Sequence, residues 1–79
     1  MISEKEFKQW LCENTTYTER VVRDMVSRVK RADSMLEFFA DDLYFYQLSQ
    51  MEEYKKMSVS VRSQVKRAVK LYHQFVVSK

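Results

Sequence analysis

Residues 58–77 read SVSVRSQVKRAVKLYHQFVV, and this stretch decides the fold. Val61, Val65, Ala68, Tyr72 and Phe75 recur at i, i+4, i+7, i+11 and i+14, with Val69 and Val76 flanking them. That spacing is the 3.6-residue period of a helix that buries one face. Ser58 or Ser60 stands in front as an N-cap, where a hydroxyl accepts from a backbone N–H that the first turn leaves unpaired. This is the longest helix of the chain, and its apolar stripe needs partners.

Three further helices supply them. Ser3 followed by Glu6 forms a capping-box pattern, and Phe7, Trp10 and Leu11 then make one apolar face ending near Glu13-Asn14-Thr15. Thr16 or Thr18 starts a second helix with Val22, Met25, Val26 and Val29 on its inner side, extending toward Leu36. Ala32-Asp33-Ser34 is expected to break or bend it, because Asp and Ser compete for backbone hydrogen bonds. Met35, Leu36, Phe38 and Phe39 follow as a dense apolar segment that must bury itself. Asp41 or Asp42 caps a third helix that turns Tyr44, Leu48 and Met51 inward and runs to about Lys56.

Composition supports the same fold. The chain has 79 residues, 46% of them hydrophobic, with no Gly and no Pro. Hairpin turns favour Gly, Asn or Asp at positive φ, and Asn14 is the sole Asn, so an all-α class follows. Residues 1–79 are expected to form one compact four-helix bundle. A core of this size leaves only about 3–5 kcal/mol of net stability, which disfavours a strained catalytic site. The single Cys12 cannot close an internal disulfide, the opening residues carry no apolar signal run, and no stretch approaches a membrane span. A soluble protein of the reducing cytoplasm is the expectation.

The charge pattern is the sharpest functional signal. The net charge is +3, but residues 1–53 hold seven basic and eleven acidic side chains, whereas residues 54–79 hold seven basic and none acidic. On the second helix, Arg20, Arg23, Arg28, Lys30 and Arg31 are interleaved with acids. Glu19 with Arg23, and Asp24 with Arg20 and Arg28, are spaced for i, i+4 pairs. The fourth helix differs. Arg62, Lys66 and Lys70 are spaced i, i+4, i+8, with Arg67 beside them, His73 continuing the line, and no acid anywhere on the helix. Like charges at that spacing repel, and the helix dipole favours cations only near the C-terminus, away from Arg62. With Ser60, Ser63 and Gln64 alongside, the stripe has the character of a phosphate-contacting surface.

Catalytic chemistry finds little support. The only histidine is His73, no Cys/His pair has metal-ligand spacing, and a glycine-rich phosphate loop is excluded. Cys12 is expected on the buried side of the first helix as a small hydrophobe. Asp41-Asp42 and Glu52-Glu53 are neighbours on helices, so neither pair converges on one substrate atom. The aromatics of residues 38–46 are chiefly core, although such a cluster can also stack bases of a single strand. Tyr17 and Tyr54 are the expected exposed aromatics. No enzyme activity and no cofactor are implied.

Two stretches resemble a known family. Thr18-Glu-Arg with Val22, Val26 and Val29, and the segment from Ser60 to Phe75, are similar to the second and last helices of the N-terminal core-binding (SAM-like) domain of tyrosine recombinases and phage integrases. The resemblance implies a four-helix bundle that straddles duplex DNA. It would turn Arg23, Ser27 and Lys30 of the second helix, and Ser60, Arg62, Ser63, Lys66 and Arg67 of the fourth, toward the DNA. His-x-x-Arg is absent and so is a domain for a nucleophilic tyrosine, so the implied protein is a stand-alone or excised DNA-binding module. The expected partner is double-stranded DNA, with phosphate contacts from Arg62, Lys66, Arg67 and Lys70. The alternative is a small interaction or inhibitor module that engages an acidic protein partner.

Overall fold

Thr18 and Ser58 each close the first turn of a long helix. In the computed structural model, which describes residues 2–78, Thr18 Oγ1 accepts from the Val21 N–H at 3.3 Å and Ser58 Oγ from the Val61 N–H at 3.2 Å. The helices they start are α2, Glu19–Met35, and α5, Val59–Val77. With α1 (Glu4–Asn14), α3 (Leu43–Ser49) and α4 (Glu52–Lys55) they form an all-α bundle of five helices. The Cα radius of gyration is 12.0 Å, as expected for a compact chain of this length. All φ angles of the described residues are negative, consistent with turns built without glycine.

The stripes seen in the sequence form one side of each helix. Val22, Met25 and Val29 of α2 pack with Phe7 and Leu11 of α1 and with Ala68, Tyr72 and Phe75 of α5. Ala32 and Met35 at the far end of α2 pack instead with Val65 and Val69 of α5, Tyr44 and Leu48 of α3, and Tyr54 of α4. The two long helices therefore run in opposite directions. Burying a side chain of this kind contributes about 1.5–3 kcal/mol. Phe7, Leu11, Val22, Leu48 and Val65 have no exposed surface at all.

Several local expectations are corrected. Residues 42–56 are not one helix. Met51 takes an extended conformation (φ −72°, ψ 136°), and the N–H groups of Gln50 and Met51 turn back to the Gln47 and Leu48 carbonyls. α4 then restarts with Glu52 and Glu53 in its first turn, where acidic side chains meet the favourable end of the dipole. No capping box forms at α1: the Ser3 side chain makes no cap bond, and its backbone N–H donates to the Tyr72 hydroxyl at 2.9 Å. A tertiary contact has taken the donor that the local motif would have used.

Nor does α2 break at Ala32-Asp33-Ser34. Burial of Ala32 and Met35 carries the helix through, and Asp33 acts beyond the end, its Oδ1 accepting from the Phe38 N–H at 2.9 Å. Asp42 stands at the α3 N-cap position without a side-chain bond; Asp41 Oδ1 accepts from the Leu43 N–H instead. Cys12 is exposed, because Leu11 takes the buried direction and the next residue points about 100° away. Among the tyrosines, Tyr54 is buried and Tyr17 half-buried, while Tyr46 is 66% exposed. The i, i+4 ion pairs expected of Glu19 and Asp24 are not formed among the described residues, where Lys30 pairs with Glu4.

Candidate nucleic-acid interface

With Val65, Ala68, Val69, Tyr72 and Phe75 turned inward, the remaining faces of α5 carry the cations. Ser60, Ser63, Lys66, Arg67 and Lys70 are exposed and Arg62 is half-buried. Because Ser58 is the cap, Ser60 lies within the first turn of the helix. Arg62, Lys66 and Lys70 follow one another about 6 Å apart along the axis. No ion pair joins any of the α5 cations to an acid among the described residues.

Each member of this row lies beside an aromatic residue. The Tyr54 hydroxyl donates to the Arg62 carbonyl at 3.2 Å. Burial pushes the Tyr54 pKa above the usual 10.0, and the Arg62 charge pulls it partly back. Arg62 Nε is buried and meets no acceptor among the described residues. Arg62 lines a cavity of about 200 Å³ with Tyr54, Val59, Ser63 and Lys66. One turn on, the Lys66 ammonium lies 6.0 Å from the Phe45 ring centroid, the outer limit of a cation–π contact.

Lys70 and His73 then form part of a cleft of about 300 Å³ between α5 and the start of α3. Phe38, Tyr44, Phe45 and Val69 supply its apolar lining, and Gln74, Asp41 and Asp42 complete it. Its floor is rigid. Phe38 packs edge-on to Tyr44 and Tyr72 at 5.0 and 4.8 Å, and the Tyr44 hydroxyl donates to the Leu36 carbonyl at 2.7 Å. Burial, with the nearby Asp33 charge, raises the Tyr44 pKa to about 12.

The other expected residues lie elsewhere. Arg67 points to the opposite flank of α5, where its Nη2 donates to the Tyr17 hydroxyl at 3.0 Å and its guanidinium lies 5.8 Å from that ring centroid. Lys30 is held 3.5 Å from Glu4 Oε1. Arg23 lines a separate groove of about 240 Å³ with Glu4, Lys5, Lys8 and Val26, and Ser27 is exposed on the same helix. The α2 set thus adjoins α1, and the Arg62–Lys66–Lys70 row adjoins α3 and α4.

Sequence reasoning missed the aromatic flank of the row and the cleft at its end. The density of rings in residues 38–46 was the available signal, but only the chain reversal after α2 brings them beside α5. Among the described residues, no group of His, Cys, Asp or Glu could hold a metal ion, and no helix is long and apolar enough to cross a membrane. Comparison with known protein families, curated proteins and solved structures returns no match.

Proposed function

We propose that this domain is a non-catalytic DNA-binding module that holds the nucleic-acid backbone through α5. One observation carries the reading: a helix of 19 residues bears Arg62, Lys66, Arg67 and Lys70 and no acid, and none of the four is ion-paired among the described residues. Like charges stacked at i, i+4 cost helix stability, and a row of phosphates would reverse that cost. Ser60 and Ser63 add hydroxyls near the positive end of the helix dipole.

The resemblance to core-binding domains of tyrosine recombinases supports the same partner and is carried by the sequence pattern alone. Arg23, Ser27 and Lys30 would form a second, weaker grip, since Lys30 already has Glu4 as a partner. Phosphate contacts position a protein without reading sequence. Replacing Lys66 and Lys70 together by Ala should weaken binding to all sequences alike and flatten its salt dependence. Unchanged affinity and slope would remove the α5 row from the interface.

An acidic protein partner is the second reading. Leu43 and Tyr46, one turn apart on α3, are 58% and 66% exposed, and a contiguous apolar patch at this place would suit a protein contact. Displacement of bound DNA by an acidic protein, with Leu43→Ser and Tyr46→Ser abolishing the displacement, would favour it.

A further inference from the structure

Resting on the proposed phosphate grip of α5, we infer that the nucleic acid it takes is single-stranded, with one base lodged in the cleft between α5 and α3. The cationic row is not an isolated crest. Lys66 stands over the half-buried Phe45, and Lys70 shares the cleft with Phe38 and Phe45. A duplex presents phosphates outward and keeps its base faces stacked, so it has no use for rings beside the cations. A single strand uses both: its backbone follows the charges while its bases stack on aromatic faces.

The cleft itself discriminates between a phosphate and a base. Asp41 and Asp42 stand at its edge, and their carboxylates repel a phosphate. Toward a base they are acceptors for exocyclic amino groups. The Gln74 amide supplies both donor and acceptor, so with the carboxylates the cleft carries the mixed complement that base edges present. Phe38 and Phe45 give the apolar lining, and about 300 Å³ is the lower end of the range for small-molecule pockets. The Lys66–Phe45 contact does not oppose this: an exposed cation–π contact is weaker than base stacking, and the ammonium is free to turn to the backbone. Arg62, Lys66 and Lys70 then take successive phosphates, and the base beyond them enters the cleft.

The test is fluorescence anisotropy with a labelled ~20-nucleotide strand of mixed sequence and with its duplex, across salt concentrations. The wild-type protein should bind the strand about tenfold or more tightly than the duplex. Phe45→Leu, which keeps apolar bulk but removes the ring, should lower strand affinity about tenfold and leave duplex binding unchanged. Gln74→Ala, at an exposed position that leaves the core intact, should lower strand affinity severalfold; circular dichroism checks the fold of both variants. Equal or tighter duplex binding, or strand affinity indifferent to both substitutions, would overturn the single-strand inference and leave the phosphate grip standing. Absence of salt-dependent binding to either form would overturn both.

Discussion

α2 and α5 are built alike and charged differently. Each starts from a hydroxyl cap, each buries five side chains along one stripe, and each is rich in basic residues. α2 carries five of them, α5 four. On α2, however, Glu19, Asp24 and Asp33 share the helix, and Glu4 of α1 holds Lys30. On α5 no acid is present, and of the row Arg62–Lys66–Lys70 only Lys70 shares a cleft with carboxylates, those of Asp41 and Asp42, without an ion pair among the described residues. Counting positive charges would rank α2 first. What makes a face ready for an anion is the absence of acids on its own helix and of ion pairs to its cations.

The largest effect should come from the core that the two helices share. Phe7→Ala removes a ring packed against Tyr72 and Phe75 of α5 and is expected to cost about 3–5 kcal/mol in urea denaturation. That matches the whole stability of a domain this small, so both faces should disappear together. Next, reversing the α5 row with Lys66→Glu and Lys70→Glu should lower nucleic-acid affinity about a hundredfold near 0.1 M salt, with the far-ultraviolet spectrum unchanged. A loss below about threefold would break the contrast between the helices.

Alkaline unfolding examines the wall beside the row. Below pH 10 the Tyr44 hydroxyl keeps its proton in both folded and unfolded chains. Between pH 10 and about 12 the unfolded chain releases it while the folded one holds it, so stability falls as pH rises through that window. The loss should reach roughly 2 kcal/mol, and Tyr44→Phe should remove that component of the pH dependence. Thr18→Ala and Ser58→Ala should each cost about 1 kcal/mol in thermal melts, since each deletes one cap of the same kind. The smallest effect is expected from Arg23→Ala with Lys30→Ala: a change in nucleic-acid affinity of no more than about threefold. A loss equal to that of the α5 variants would make the two helices equal partners and contradict the contrast.

The helical class and the inner faces of α1, α2 and α5 were legible because each helix repeats one signal over several turns, as Val61, Val65, Ala68, Tyr72 and Phe75 do. Local hydrogen-bond choices were not. Ser3 and Glu6 match a capping box, yet Tyr72, 69 residues away in sequence, receives the Ser3 N–H. Asp33 looks like a helix breaker and instead bonds Phe38 after the helix has ended. The cationic row was legible for the same reason as the core stripe, being periodic on one helix. Its aromatic flank was not, because Phe38, Phe45 and Tyr54 come to α5 from three short segments whose directions only packing decides.

The central claim is that the α5 row binds nucleic acid through its phosphates, and its most direct test is the salt dependence of binding. For a single strand held by three or four phosphate contacts, log affinity against log salt should fall with a slope of about −2 to −3. Lys66→Ala with Lys70→Ala should bring that slope to within about one unit of zero. No detectable binding at about 0.05 M salt, or a wild-type slope that the double substitution leaves unchanged, would contradict the account.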